Sequence, residues 1–445
     1  MPHKRTARSR VRAIRLALLL ATALLLSACW GEGMPGVAKM GFGAGRAPAD
    51  VGAASLSPQG DVQSGLISDL QARRSVLPPD GPFSTIASAV VEAGAGVAAA
   101  ELRVARLQAE AKAKNWLPRI GPSANLTSLG ALAASILVEQ TLFDNGRRKA
   151  ERAYAAADVE VAAVTLASET NKRVYDGLKH YLVAERAREQ SGVAERAVTR
   201  LAEFERIMAL RVDGGLSDRS EQRVLSQKLA EMQASLAADR QTELTAMAEL
   251  GAMTSRDLTR LRGLQNLPAD QPDPEPLAVT RARGEGARAV AEAEMAKADM
   301  LPGLTASAAL GKGGVDGGIG LKGGAFGFGS AAAREALDAT SDLVGRRTAE
   351  AAEDANRRIV ALQREMQSVL SREAEGAEVL RQTGSNLSMF TEQYKVGRRS
   401  LLELVQQYES FARTERDQVA LKYIATDLRL QIALERGALV DGARM

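Results

Sequence analysis

The sequence predicts a mainly α protein with a small β part, made of long antiparallel helical hairpins and short strand pairs, and laid out twice. Three observations predict it. From Leu142 to Val212 no proline occurs, and Ala194, Ala197, Leu201, Phe204 and Met208 recur at alternating three and four residues, the spacing of a coiled-coil seam. At about 1.5 Å per residue such a helix is roughly 100 Å long, so it must lie along other long helices. Two-residue alternation appears at Leu132, Ala134, Ile136 and Val138 and again at Leu304, Ala306, Ala308 and Leu310, the period of a strand with unlike faces. Landmarks repeat at nearly one offset: Pro302 follows Pro118 by 184 residues and Gly397 follows Gly215 by 182, which argues for an internal duplication.

In chain order, residues 1–28 read as a signal peptide. Lys4, Arg5, Arg8, Arg10, Arg12 and Arg15 form its basic start, and Leu16 to Leu26 its apolar run, too short to span a bilayer. Those six cations exceed the formal net charge of +4, so the remainder is slightly acidic and nucleic-acid binding is not implied. Leu26-Ser27-Ala28-Cys29 resembles a lipobox, which implies that Cys29 is acylated, with palmitate as a fatty acid, and becomes the mature N-terminus. The plainer alternative is a cut near Ala28. Cys29 is the one cysteine, so no disulfide forms within the chain. Residues 29–82 are rich in Gly, Pro, Ala and Ser and read as a flexible tether.

The first half covers 83–266. Ser84 can cap a helix through Ala89, Val90 and Leu102 to Asn115, stopped by Pro118. A strand from roughly Ser123 to Ser128 pairs with the one beginning at Leu132. The long helix ends at Asp213-Gly214-Gly215, with Ser217 or Asp218 available to cap the return through Leu225, Leu229, Met232 and Leu236 to about Met253. Residues 267–278 are a proline-rich linker, and 279–445 repeat the scheme. There the helix from about Val279 ends at Met300. A strand pair follows, its second member spanning Val315 to Phe328. A helix from about Ser330 to Val396 then carries Leu380, Thr383, Leu387, Phe390 and Tyr394 on its seam, and a tip lies at Gly397.

These features together resemble the TolC family of outer-membrane channels. The resemblance rests on Leu117-Pro118 and Leu301-Pro302 before strand pairs, on Gln140-Thr141-Leu142-Phe143-Asp144-Asn145-Gly146 leading into the long helix, and on the tips Val212 to Leu216 and Tyr394 to Gly397. It implies a homotrimer in which each subunit gives four strands to one transmembrane β-barrel and its hairpins to a periplasmic α-barrel. It also implies tips that meet a periplasmic adaptor (membrane fusion protein), an inner-membrane RND or ABC transporter as energy source, and outer-membrane lipid as surroundings. Independently, four strands cannot close a barrel, and an open edge does not persist in lipid, so copies must complete one another. The second half lacks a close copy of Gln140 to Gly146, and aromatics for the membrane interfaces are few: Trp116, Phe143, Phe326 and Phe328.

Functional residues are expected at the tips. Gly215 and Gly397 turn the chain, and Leu216, Val396, Arg398 and Arg399 are candidates to present exposed side chains to an adaptor. Asp218, Glu221 and Glu403 are candidates for acidic rings at a pore or gate, paired with Arg219, Arg398 or Arg399; the same acids also suit a helix N-terminus. Enzymatic chemistry has little to draw on. His3 lies in the signal and His180 in mid-helix, without a cluster for a metal or a triad; Gly311-Lys312-Gly313-Gly314 and Gly41 to Gly45 lack the context of a phosphate loop. No cofactor is expected beyond the lipid on Cys29. The competing reading is a periplasmic coiled-coil adaptor or scaffold lipoprotein, which would show one hairpin flanked by β-rich modules instead of two.

Overall fold

The computed structural model describes residues 64–94, 96–126, 132–268, 273–311, 314–323 and 330–444, all within the unit Gly52–Met445. The signal peptide, Cys29, the tether up to residue 63, Phe326 and Phe328 lie outside the described residues. The order is α1 (Gly65–Ala72), α2 (Pro82–Ala93), α3 (Val97–Ala113), β1 (Arg119–Leu126), β2 (Leu132–Phe143), α4 (Arg147–Asp213) and α5 (Arg219–Ala252). The second half follows with α6 (Leu277–Asp299), β3 (Gly303–Gly311), β4 (Gly314–Lys322), α7 (Ser330–Asp338), α8 (Thr340–Lys395) and α9 (Leu401–Glu435), and a short 3-10 turn at Gly442–Arg444 closes the described chain. The doubled helix, strand pair and hairpin scheme is present.

The 67-residue α4 is the spine. Its start is shaped by Asp144, whose carboxylate accepts the Gly146 amide at 3.2 Å and the Arg148 amide at 3.1 Å. Asn145 and Gly146 both take positive φ there, which explains the Asp-Asn-Gly sequence at this turn. The helices α3, α5, α6 and α9 all pack along it. Ala194, Ala197, Leu201, Phe204 and Met208 are buried, as the seam spacing predicts. Leu201, Phe204 and Met208 meet Leu225 of α5 and Leu401, Leu404 and Val405 of α9 in one cluster near the tips. The larger cluster sits midway along α4, where Phe83 meets Tyr181 edge to face at 6.2 Å between ring centroids and the Tyr181 hydroxyl donates to the Gly263 carbonyl at 2.9 Å.

Several expectations are corrected. The tether does not extend to 82: residues 64–82 contain α1 and bury Leu70, Val76 and Leu77 in the main cluster. Backbone and side-chain hydrogen bonds tie this segment to the C-terminal one, Val76 N to Ala438 O at 2.8 Å, Gly442 N to Arg73 O at 2.9 Å and Ser75 N to Asp441 Oδ1 at 2.9 Å. Buried Arg73 donates to Glu275 O at 2.8 Å and to Thr280 Oγ1 at 3.2 Å, and burial lowers its pKa. The helix expected from Ser84 starts at Pro82 instead, where proline's fixed φ and missing N–H suit a first turn, and it divides at Gly94 and Gly96. The strand β1 begins at Arg119 rather than Ser123, β4 ends at Lys322, and the helix expected from Ser330 is interrupted at Ala339.

The close fit of α2 on α4 is set by Gly177. A Cβ there would stand 2.9 Å from Val90 Cγ2, with Ile86 and Leu250 at 3.6 Å. We expect Gly177→Val to cost about 1–3 kcal/mol by forcing these elements apart, seen as a lowered midpoint in thermal denaturation; an unchanged midpoint would contradict this packing.

Candidate functional site: an uncovered sheet and two helical tips

The four strands form one antiparallel sheet in the order β1-β2-β3-β4, so a β2–β3 pairing joins the two halves. Residues directly opposite one another share a face. One face carries Ile120, Val138 and Ala308, then Pro122, Ile136, Leu310 and Val315, then Ala306 and Ile319, with Gln140 as its polar exception. The other carries Arg119, Glu139 and Ser307, then Ser123 and Ser135, then Thr141 and Thr305, with Leu137 and Ala309 as apolar exceptions beside Asp316. The Ser123 and Ser135 hydroxyls are 2.8 Å apart, and Lys322 Nζ reaches Glu139 at 3.5 Å.

The strands make their extensive contacts with one another, not with helices. Ile120, Ile136, Val315 and Ile319 are each more than half exposed. A branched apolar face is therefore uncovered among the described residues, and β1 and β4 each have one edge unpaired by them. Trp116, Leu142 and Phe143 are also exposed, at the sheet's helical end. At about 3.3 Å per residue the 12-residue β2 is roughly 40 Å long, enough for a tilted strand to cross a bilayer. No single helix among the described residues is long and apolar enough to do so, which says nothing of the sheet.

At the opposite end of α4 the two tips share one geometry. Gly215 has φ 73° and Gly397 has φ 72°. In the first, Gly215 N bonds Val212 O at 3.0 Å and Leu216 N bonds Arg211 O at 2.7 Å; in the second, Gly397 N bonds Tyr394 O at 3.0 Å and Arg398 N bonds Gln393 O at 2.9 Å. Both satisfy the last carbonyls of a helix through a left-handed glycine, as in a Schellman motif. Leu216 and Val396 are 72% and 68% exposed, paired apolar points presented by rigid turns.

The charged tip residues are divided. Asp218 caps α5 by accepting the Ser220 amide at 3.3 Å, and this bond holds its carboxyl below the usual range. Glu403 forms a capping box with Ser400 and pairs with Arg399 at 2.8 Å. The Ser400 backbone, then Arg399, lower its pKa. Arg399 also lies over the Phe390 ring at 4.7 Å. Neither Asp218 nor Glu221 pairs with Arg219 or Arg398 among the described residues; of the expected pairs the structure brings together Arg399 with Glu403.

A set of polar links between the hairpins had no place in the expectations. On α9, Tyr408 donates to Arg196 O at 3.3 Å, Glu409 meets Lys228, and Glu415 meets Arg196 at 2.6 Å. Arg416 grips Asp239 with both guanidinium nitrogens, Nη2 at 3.0 Å from Oδ1. Further along, Lys422 and Tyr423 share Glu189 at 2.6 and 2.8 Å, and Tyr175 of α4 donates to Asp427 at 3.1 Å. Burial, and then the Glu189 carboxylate, push the Tyr423 hydroxyl pKa up. The signal was available: 408/409, 415/416 and 422/423 repeat every seven residues, a polar stripe facing a coiled-coil neighbour.

No protein-family model and no curated protein matches the sequence. Solved structures do match. A membrane protein from Pseudomonas aeruginosa is 13% identical with a TM-score of 0.71, covering 87% of this chain and 96% of its own. The outer membrane protein VceC from Vibrio cholerae is 15% identical with a TM-score of 0.67, covering 80% and 96%. The CmeC outer membrane channel from Campylobacter jejuni is 12% identical with a TM-score of 0.68, covering 91% and 95%. At such identities the likeness is one of fold.

Two outcomes follow from the site's electrostatics. Arg416→Ala leaves the buried Asp239 carboxylate without its partner, and should destabilise the assembly of the hairpins by about 3 kcal/mol, measured by denaturant unfolding; Arg416→Ala with Asp239→Ala should recover much of it. An acid whose folded pKa is depressed stabilises fully above its unfolded value and loses that contribution as pH falls through the folded one. The Leu401–Leu404 amides should therefore lose hydrogen-exchange protection, corrected for intrinsic rate, as pH falls below the ordinary glutamate range, and Glu403→Gln should remove most of that dependence.

Proposed function

We propose that this chain, whose fold is that of the TolC family of outer-membrane channels, is the outer-membrane duct of a tripartite exporter, carrying small molecules or polypeptides outward without chemistry of its own. The observation that supports this best is the uncovered, two-faced sheet with two open edges. In water its apolar face is costly. In lipid that face is solvated by hydrocarbon, and the polar face with Arg119, Glu139, Thr141 and Thr305 lines an aqueous lumen. Lipid in turn forbids open edges, so β4 of one copy must pair with β1 of the next, and three copies supply twelve strands.

The helices offer the matching seam. The edge strand β1 follows α3, and α3 exposes Val97, Ala100, Val104, Leu107 and Ala111, spaced by alternating three and four. This is a coiled-coil stripe with no partner among the described residues. Closing β4 onto a neighbour's β1 brings that neighbour's α3 toward α7 and α8, which follow β4.

In this reading the tips, with Leu216 and Val396 foremost, receive a periplasmic adaptor, and an inner-membrane RND or ABC transporter supplies the energy. The links of α9 to α4 and α5 hold the second hairpin against the first, and opening requires Arg416, Glu409 and Glu415 to leave their partners. Asp218, Arg219, Glu221 and Glu403, with Arg398 and Arg399 as partners, are candidates for the pore mouth. Cys29 is the proposed lipid anchor; incorporation of a labelled fatty acid, lost in Cys29→Ser, tests it. A periplasmic adaptor is the weaker reading because the hairpin and strand pair both occur twice.

Purified protein in planar bilayers should give stepwise conductance and run as a trimer, and Val104→Glu with Leu107→Glu should reduce the trimer fraction at least severalfold. A monomer that inserts no pores would refute the proposal.

A further inference from the structure

A second feature lies about 45 Å along α4 from its sheet end, by the rise of thirty residues from Arg147 to Gly177 where α2 crosses. It is a cleft of about 720 Å³ between the 74–79 segment, one face of α2 and the C-terminal segment 439–444. Its floor is apolar, with Leu77 and Leu439 buried. Arg256 borders it, held by Glu92 at 2.7 Å. Arg74 and Arg444 also line it; both are exposed, and neither has an ion pair or side-chain hydrogen bond among the described residues.

The rest of the lining is a set of acceptors. Ser75, Ser84 and Ser88 direct their hydroxyl protons to the carbonyls of Leu439, Gly81 and Ser84, at 2.9, 3.1 and 2.8 Å; Ser75 also accepts the Leu77 amide at 3.2 Å, and lone pairs remain to offer, most freely on Ser84 and Ser88. Asp441 uses Oδ1 on the Ser75 amide at 2.9 Å, and its Oδ2 has no protein partner among the described residues. A complementary ligand has carboxylates for the two free guanidinium groups. It also has N–H donors or an ammonium for the hydroxyls and Asp441, and methyl-sized side chains for the shallow floor.

We propose that this cleft binds the stem peptides of the cell wall, short chains of alanine, γ-linked glutamate and diaminopimelate that carry all three kinds of group. An acidic protein tail supplies the carboxylates but no cation for Asp441, and the observations favour it less. The proposal rests on the channel reading, which sets the rod in the periplasm with the cleft below the outer membrane. Binding would fasten the channel where it passes through the wall.

The test uses the full chain in detergent, the tripeptide alanyl-γ-glutamyl-diaminopimelate in calorimetry, and purified cell-wall sacculi in co-sedimentation. Arg74→Glu with Arg444→Glu should weaken tripeptide binding by about tenfold per arginine and abolish sedimentation, with helical content and bilayer conductance unchanged. Asp441→Asn keeps the oxygen that receives the Ser75 amide, and should weaken the tripeptide but not an N-acetylated alanyl-glutamate dipeptide, which has no ammonium. Equal binding by wild type and the double variant would overturn the proposal. So would tighter binding of an Ala-Glu-Ala-Glu peptide than of the tripeptide, which would assign the cleft to an acidic protein segment. A chain that sediments with sacculi yet conducts no ions would remove the channel reading and leave the wall contact standing.

Discussion

The structure depends on one constraint: a helix roughly 100 Å long offers its apolar stripe along its whole length, and other helices must be laid along it in succession to cover it. The stripe of α4 is met by α3 and α6 toward the sheet, by α2 midway and by α5 and α9 toward the tips. Each half of the chain brings its own hairpin, and α9 is placed against the first by both apolar contacts and polar links. The division of labour has a physical reason. Apolar seams favour contact but tolerate sliding, whereas Arg416 with Asp239 and Lys422 with Glu189 accept one register.

The sheet poses the opposite problem. Its hydrogen bonds are satisfied between strands, but its apolar face and both edges are left uncovered by the described residues. A bilayer resolves the first and forbids the second. In the proposed channel, repetition of the subunit would close what the described residues of one chain leave open. In that proposed assembly the exposed stripe of α3 beside edge strand β1 continues the same logic.

How much of this was legible in the sequence varied with the range of the interaction. The seams at Ala194 to Met208 and the tips at Gly215 and Gly397 follow from local periodicity and from glycine's access to positive φ, and they stand where the pattern puts them. The pairing of β2 with β3 joins Ser135 to Gly311 and was not legible, because no local pattern specifies a partner so distant in the chain. Residues 64–82 read as tether by composition, yet Leu70, Val76 and Leu77 find a groove and Arg73 finds carbonyl acceptors supplied by segments far along the chain. At the candidate site, the exposure of Leu216 and Val396 was legible, whereas the use of Asp218 and Glu403 as caps was one of two roles that spacing left open, and a cap does not exclude the other.

The most direct test concerns the sheet edges. Within one chain β1 and β4 are separated by two strands, about 14 Å apart, too far for a disulfide. Cysteines placed along β1 and β4 in a Cys29→Ser background, oxidised in membranes, should give covalently linked dimers and trimers and nothing larger, at one matched register. Chains that stay monomeric at every register tried, or that link into open-ended ladders, would contradict closure of the sheet by neighbouring copies.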